Sequence, residues 1–486
     1  MEKKKYQSIT NPLLPTYEYL SSSKAIIEND RLYLFSTHDC FPGRTANKLD
    51  PVLYSFDLDD LTKPTYEGTI LKKKKVPGIR KAGLHISALS ITKGLDNCFY
   101  LYYSLSSKHF FDNEVLVSKS ANITGPFEFY GKVHYSDNVI LGRTSREEKK
   151  INPVIFIDDD KKIYLYVGYK KGSNSPRLYS IHKDSSSSDI VYELDNDMLT
   201  IRKGHPLNIF SETKPNNNSF KEHECQMITS VRKFNNFYYL IYTSKKGYEI
   251  CLAKSSYPDK DFVFANTLLS LGDSNSNPTY LKQLNNYLGF IQGDLLKISN
   301  TYVLFYQRMT NHTHYARQLV AEEVKKDNQG FKKALMTSQS LNLSPLNGKG
   351  NYKSSLVSDL QGKKGNYFKL GKLLLLKRGP YLTQSGKDRN EEADQYIKHF
   401  SNNSILGFRY FSFIDTKTIA ITIKGKAKGN VIVYTSNNQE LASIPITPSK
   451  TYKTYTSSLK ELIGIYPLYF LFSGKGKLDF KEFQLK

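Results

Sequence analysis

Hydrophobic and polar positions along the chain repeat a single pattern. A polar, Asx-rich turn precedes a short aromatic-rich run at 28–35, 95–102, 159–166, 234–241 and 298–305. Such turns between apolar runs predict β-hairpins. Each run is paired with an earlier apolar segment, clear at 84–91, 153–157, 228–233 and 291–297 and weaker at 23–27. Superposing the runs puts Tyr33, Tyr100, Tyr164, Tyr239 and Val303 in register, about 65–75 residues apart, a spacing that marks a repeat architecture. Five four-stranded units with long loops predict a five-bladed β-propeller. Beyond it, the segments beginning at Ile419, Asn430 and Leu468 alternate or run apolar between Gly, Asn and Lys turns, which predicts a β-sandwich of the jelly-roll kind. The fold class is therefore all-β, with a propeller over 1–355 and a sandwich over 356–486. The Gly- and Lys-rich stretch 346–365 is the expected junction, and 385–392 reads as a charged, solvated loop.

Composition narrows the function. The 486 residues are 39% hydrophobic and 24% charged, enough to bury a core and outside the range of disordered chains. No apolar run reaches the roughly 20 residues of a membrane helix, and no apolar segment follows the basic first residues. A cytoplasmic location without membrane contact is expected. Cys40, Cys98, Cys225 and Cys251 lie far apart and make no Cys-x-x-Cys, so their spacing supports neither a zinc site nor a cofactor. The formal charge of +23 is partly local, dense at 72–75 and at Arg80 and Lys81. It reads either as a solvated surface or as an attraction for acidic polymers. Specific nucleic-acid binding is not expected, because no motif for it accompanies the charge.

The order of several short motifs resembles glycoside hydrolase family 43, the arabinofuranosidase and xylosidase group, joined to a carbohydrate-binding-module-like sandwich. The motifs are Asn11-Pro-Leu-Leu-Pro-Thr-Tyr-Glu-Tyr, Ser36-Thr-His-Asp-Cys-Phe, Glu222-His-Glu with Ser230-Val-Arg-Lys, and Phe305-Tyr-Gln-Arg-Met-Thr-Asn with Ala316-Arg-Gln. The resemblance implies an inverting hydrolase, in which a carboxylate base and a carboxylic acid stand roughly 6.5–9.5 Å apart and a further Asp tunes the acid. These groups would come from the innermost strands.

A constant offset of eleven or twelve residues before each registered position leads to Ser22, Ala88, Asn152, Met227 and Gln292. The family's base falls at Ser22, its tuning Asp at Asn152, its acid at Met227 and its cavity His at Gln292. None of these side chains can act as a carboxylate base or acid. Glu224 is the candidate substitute acid, with Asp39 and Asp294 as further carboxylates. His38 beside Asp39 is read as an orienting pair.

Expected ligand contacts are Arg317, Arg308, His38, Asp39, Phe41 and Gln292. Tyr17 and Tyr19 are offered with Phe41 for stacking, as the chain has no Trp. Two arginines in a cavity without carboxylates would favour an anionic sugar. Three readings stay open. One is a catalytically impaired protein that binds a glycan, and another an active hydrolase with displaced carboxylates. The third is a basic scaffold for acidic polymers or proteins.

Overall fold

The computed structural model describes residues 3–6, 10–79, 83–106, 114–143, 150–169, 190–202, 207–208, 219–273, 286–342, 344–363, 365–370, 373–376, 379–389 and 393–486. Arg80, Lys81 and residues 390–392 lie outside them. Five mainly antiparallel sheets follow one another along the chain, and each of the five registered positions sits in the second main strand of its own sheet. Blade 1 is Leu20–Glu28, Arg31–His38, Leu49–Asp57 and Asp60–Thr69. Blade 2 is His85–Lys93, Phe99–Ser106, Leu116–Ser120 and Glu128–Lys132. Blade 3 is built on Lys150–Ile157, Ile163–Tyr169 and Ile190–Leu194. Blade 4 is Cys225–Phe234, Phe237–Ser244, Glu249–Ser255 and Val263–Ser270. Blade 5 is Gly293–Ile298, Thr301–Met309 and Arg317–Glu323.

The blades form a closed ring because each contact between neighbours has its own apolar core. One cluster joins blade 1 to blade 2 through Phe35, Leu53, Leu89 and Leu101. Others join blades 2 and 3, 3 and 4, and 4 and 5. The last joins blade 5 back to blade 1 through Leu34, Tyr54, Phe305 and Leu319, together with Leu13 and Leu14. The amino-terminal segment seals this closure. Leu13 donates its N–H to the Leu319 carbonyl at 2.9 Å, and the Asn11 amide bridges both backbone groups of Ala321 at 3.0 and 3.1 Å.

Tyr is abundant because it supplies an apolar ring for a blade interface and a hydroxyl that can reach the next backbone. Tyr102 donates to the Met198 carbonyl and Tyr166 to that of Pro258, each at 2.5 Å.

The sandwich stacks two six-stranded sheets over a core that includes Phe400, Phe408, Phe411, Phe470, Phe480 and Phe483. Its pairing starts earlier than position 356. Leu346–Asn347 runs parallel to Ile405–Phe413, and Gly350–Lys353 pairs with Lys477–Leu485. The expected junction is thus already part of the second domain.

Of the expected solvated loop, residues 385–387 and Arg389 are exposed, but two of its charged side chains also tie it to the propeller. Asp388 accepts the Phe41 N–H at 2.7 Å, and Arg389 reaches Glu18 and His38 of blade 1. Of the basic run, Lys72, Lys74 and Lys75 are exposed, while the Lys73 N–H is held by Asp50 at 3.1 Å.

Candidate functional site at the propeller axis

The innermost strands share a local irregularity at the positions picked out by the repeat. Pairing slips between Ser21 and Lys24, between Ser87 and Ser90, between Ile151 and Pro153, and between Cys225 and Met227. Such β-bulges turn a strand and re-aim a side chain. Ser22, Ala88 and Asn152 occupy them with φ of 49°, 56° and 65°, a left-handed conformation that costs non-glycine residues about 1–3 kcal/mol each. Ser22, Asn152 and Met227 are all buried.

The bulges bring distant blades together at the axis. The Asn152 amide donates to the Ile228 carbonyl, and Gln292 donates to Asn152 Oδ1 at 3.4 Å. Among the described residues no carboxylate is hydrogen-bonded to Ser22, Asn152, Met227 or Gln292. Glu224 precedes the inner strand of blade 4 and is half-buried, with its carbonyl accepting the Lys245 N–H.

Two residues further along the inner strands lies a buried ionic cluster. Lys24 directs its ammonium at the Thr229 carbonyl of blade 4. Asp294 accepts from Arg232 Nη2 at 2.7 Å, from Ser230 Oγ at 2.7 Å and from the Ala25 N–H at 2.8 Å. Burial alone would raise the Asp294 carboxyl, but Arg232 and Lys24 bring it below the usual range. Burial lowers the Lys24 ammonium to about 8; Arg232 adds to the shift and Asp294 opposes it. Asp294 is therefore an ionised structural partner and not a displaced catalytic acid.

The expected ligand contacts divide into separate groups. Arg317 is fully engaged: Nε meets Asp39 Oδ2 at 2.7 Å, and Nη2 meets Asp39 Oδ1 at 2.8 Å and Asn47 Oδ1 at 3.0 Å. Arg308 is buried away from solvent, donating to Gln318 and to the Val357 and Ser355 carbonyls at the domain junction. Neither arginine is a free cation, since both have protein hydrogen-bond partners. His38 does not pair with Asp39. Its Nε2 lies 3.0 Å from Glu18 Oε2 and 2.9 Å from Arg389. Burial would raise the Glu18 carboxyl, but His38 and then Arg389 hold it below the usual range.

Phe41 stacks on Tyr19 with centroids 5.8 Å apart. Tyr19 is itself 1% exposed and bonded to Gln384, so it is core and not a platform. Sequence reasoning missed Lys24, Asn47, Glu18 and Arg389. Lys24 alone had an available signal, as the only Lys in an otherwise apolar or Ser-rich inner-strand segment.

A closed five-bladed propeller with bulged inner strands around its axis thus carries a β-sandwich. The model of glycosyl hydrolases family 43 matches residues 9–224. The chain is 30% identical over 488 residues to a xylosidase/arabinosidase from Thermoclostridium stercorarium, covering 98% of each. It therefore belongs to glycosyl hydrolase family 43. Its fold is similar to that of a family 43 arabinoxylan arabinofuranohydrolase from Bacillus subtilis solved with cellotetraose, at 16% identity, a TM-score of 0.50 and coverage of 98% of this chain and 97% of that one. It is similar too to a β-xylosidase/α-arabinofuranosidase from a compost metagenome solved with xylotriose, at 19% identity and a TM-score of 0.51, covering 68% of this chain and 98% of the other.

Proposed function

We propose that this family 43 protein binds a neutral, pentose-containing glycan at the propeller axis and is impaired in hydrolysis. The observation that carries the reading is the content of the bulges. By the repeat's offset and the family resemblance, Ser22 and Asn152, each in a bulge, and Met227, just after one, fall where the family's base, tuning Asp and acid are expected. Inverting hydrolysis needs one group to take a proton from water and another to give one to the leaving oxygen. A hydroxyl and an amide cannot act as the base near neutral pH, and a thioether holds no proton to give. The relative from Thermoclostridium stercorarium, a xylosidase/arabinosidase, supports xylosides and arabinosides as the ligand class. The engagement of both arginines supports a neutral sugar, since Asp39 balances Arg317 and the Arg308 donors are taken up by backbone carbonyls and Gln318.

The test pairs binding with turnover. Calorimetry with xylo- and arabino-oligosaccharides is expected to show binding, while aryl xyloside and arabinofuranoside are not cleaved. Ser22→Asp, Asn152→Asp and Met227→Glu made together are expected to produce measurable hydrolysis. Turnover by the unaltered chain, lost in Glu224→Gln, would instead establish a relocated acid and end this reading.

A further inference from the structure

Blade 4 gathers three side chains of types that ligate metals. His223 lies in the turn before the inner strand, while Glu249 and Cys251 are alternate residues of Glu249–Ser255 and so point to one face of the sheet. His223 Nδ1 is 3.3 Å from Glu249 Oε2 and 4.0 Å from Cys251 Sγ. The three donor atoms all lie within 4.8 Å of one another, the one such group among the described residues. Tetrahedral zinc, with bonds of about 2.0 Å to nitrogen and oxygen and about 2.3 Å to sulfur, separates its ligands by roughly 3.3–3.6 Å. The nitrogen and the oxygen already stand at that separation, and the sulfur, 4.0 Å from the nitrogen and within 4.8 Å of the oxygen, must close by at most about 1.3 Å.

The surroundings hold each donor in place. The His223 ring lies parallel to Phe264, with centroids 4.8 Å apart and planes at 7°, and its carbonyl accepts from Tyr242 at 2.9 Å. Lys246 holds Glu249 Oε1 at 3.0 Å, while Ser244 orients Oε2, also at 3.0 Å. These outer contacts leave Oε2 facing His223, as the orienting partners of metal ligands commonly do. Thr267 Oγ1 stands 3.5 Å from His223 Nδ1 and 3.7 Å from Cys251 Sγ, on the remaining side. Glu249 and Cys251 are buried and His223 is half-buried, which gives an ion a way in.

We propose that His223, Glu249 and Cys251 form a zinc site that clamps the turn leading into the inner strand of blade 4 to the third strand of that blade. One nitrogen, one oxygen and one sulfur suit zinc, whereas the thiolate argues against calcium or magnesium. Burial pushes the Cys251 thiol up to about 12, so the metal-free site keeps its proton. Binding releases that proton and strengthens as pH rises. Its clamp acts on the entry to the strand that carries Met227.

The test uses the full chain, stripped by a chelator and titrated with Co²⁺. One ion per chain is expected, with a sulfur-to-cobalt charge-transfer band in the near ultraviolet that zinc abolishes by displacement. Cys251→Ser should remove the band. Cys98→Ser, at a partly exposed cysteine elsewhere, should leave it intact. His223→Gln, at a half-buried ring whose loss the fold tolerates more readily, should weaken cobalt binding by at least about tenfold. Absence of the band, its persistence in Cys251→Ser or unchanged affinity in His223→Gln would each overturn the proposal.

Discussion

Replacing Lys24 with Met should make the protein more stable near neutrality and remove part of its pH dependence. The ammonium is enclosed between blades 1 and 4, where it meets one carbonyl and shares the Asp294 carboxylate with Arg232. In the unfolded chain this lysine keeps its proton to near 10.5, whereas the folded chain releases it at about 8. Between those values the unfolded state binds more protons, so stability rises with pH through that window and is lowest below it. At about 1.4 kcal/mol per unit, the charged form costs the fold about 3 kcal/mol at pH 7, of which about 2 kcal/mol is recovered between pH 8 and pH 10. Met preserves the packing of the stem but leaves the Thr229 carbonyl without its donor, returning about 1 kcal/mol. The net expectation is a gain of about 2 kcal/mol at pH 7 that shrinks to nothing near pH 10. Urea or thermal melts of both proteins at half-unit pH steps measure it, and subtraction removes the titration of the many tyrosines. Parallel pH curves for the two proteins would refute the assignment of Lys24 as a buried, strained cation.

Two further outcomes follow from the paired arginines. Asp39→Asn leaves the Arg317 guanidinium buried against a neutral amide, and breaking one side of such a pair costs about 3–5 kcal/mol. Calorimetry should show Tm falling by about 5 °C for a unit of this size, whereas an arginine held free for an anionic ligand would give almost no change. Arg308→Lys cannot reproduce the planar set of donors that spans Gln318, Ser355 and Val357. Faster limited proteolysis between the two domains is expected, with far-ultraviolet circular dichroism unchanged.

What could be read from the chain alone was whatever recurs locally. The turn-and-strand signal around Tyr33, Tyr100, Tyr164, Tyr239 and Val303 placed all five second strands, because a hairpin is specified by neighbouring residues. The same offset found the bulges at Ser22, Ala88 and Asn152, since a repeated backbone repeats its irregularities too. Contacts that span the ring were hidden. Arg389 and Glu18 are far apart in sequence, and nothing near either announces the other. His38 and Asp39 are adjacent but on opposite faces of an extended segment, so adjacency suggested a pair that strand geometry forbids. His223, Glu249 and Cys251 escaped for a related reason, since motif spacing describes metal sites made within one loop and this group is assembled from a turn and a strand.

The axis also explains why reconstruction is a fair trial of the proposed function. The bulges holding Ser22 and Asn152, and the one just before Met227, are set by backbone pairing, and of the three side chains Asn152 makes the cross-blade bonds, to Ile228 and Gln292. A carboxylate placed there inherits the direction of the existing Cβ without requiring a new backbone. Lys24 and Asp294 are buried nearby, and Arg232 is half-buried beside Asp294, so a carboxylate placed at the inner strands would have charged neighbours and would not sit in apolar surroundings. Charge favours Ser22→Asp most, because its carboxylate would lie two residues from the Lys24 ammonium and stay ionised, as a base must. Met227→Glu has the opposite requirement, since an acid must hold its proton. Burial at that position and a carboxylate at 152 would both raise its pKa. The triple change therefore separates a low-pKa group from a high-pKa one, the division of labour on which inverting hydrolysis depends.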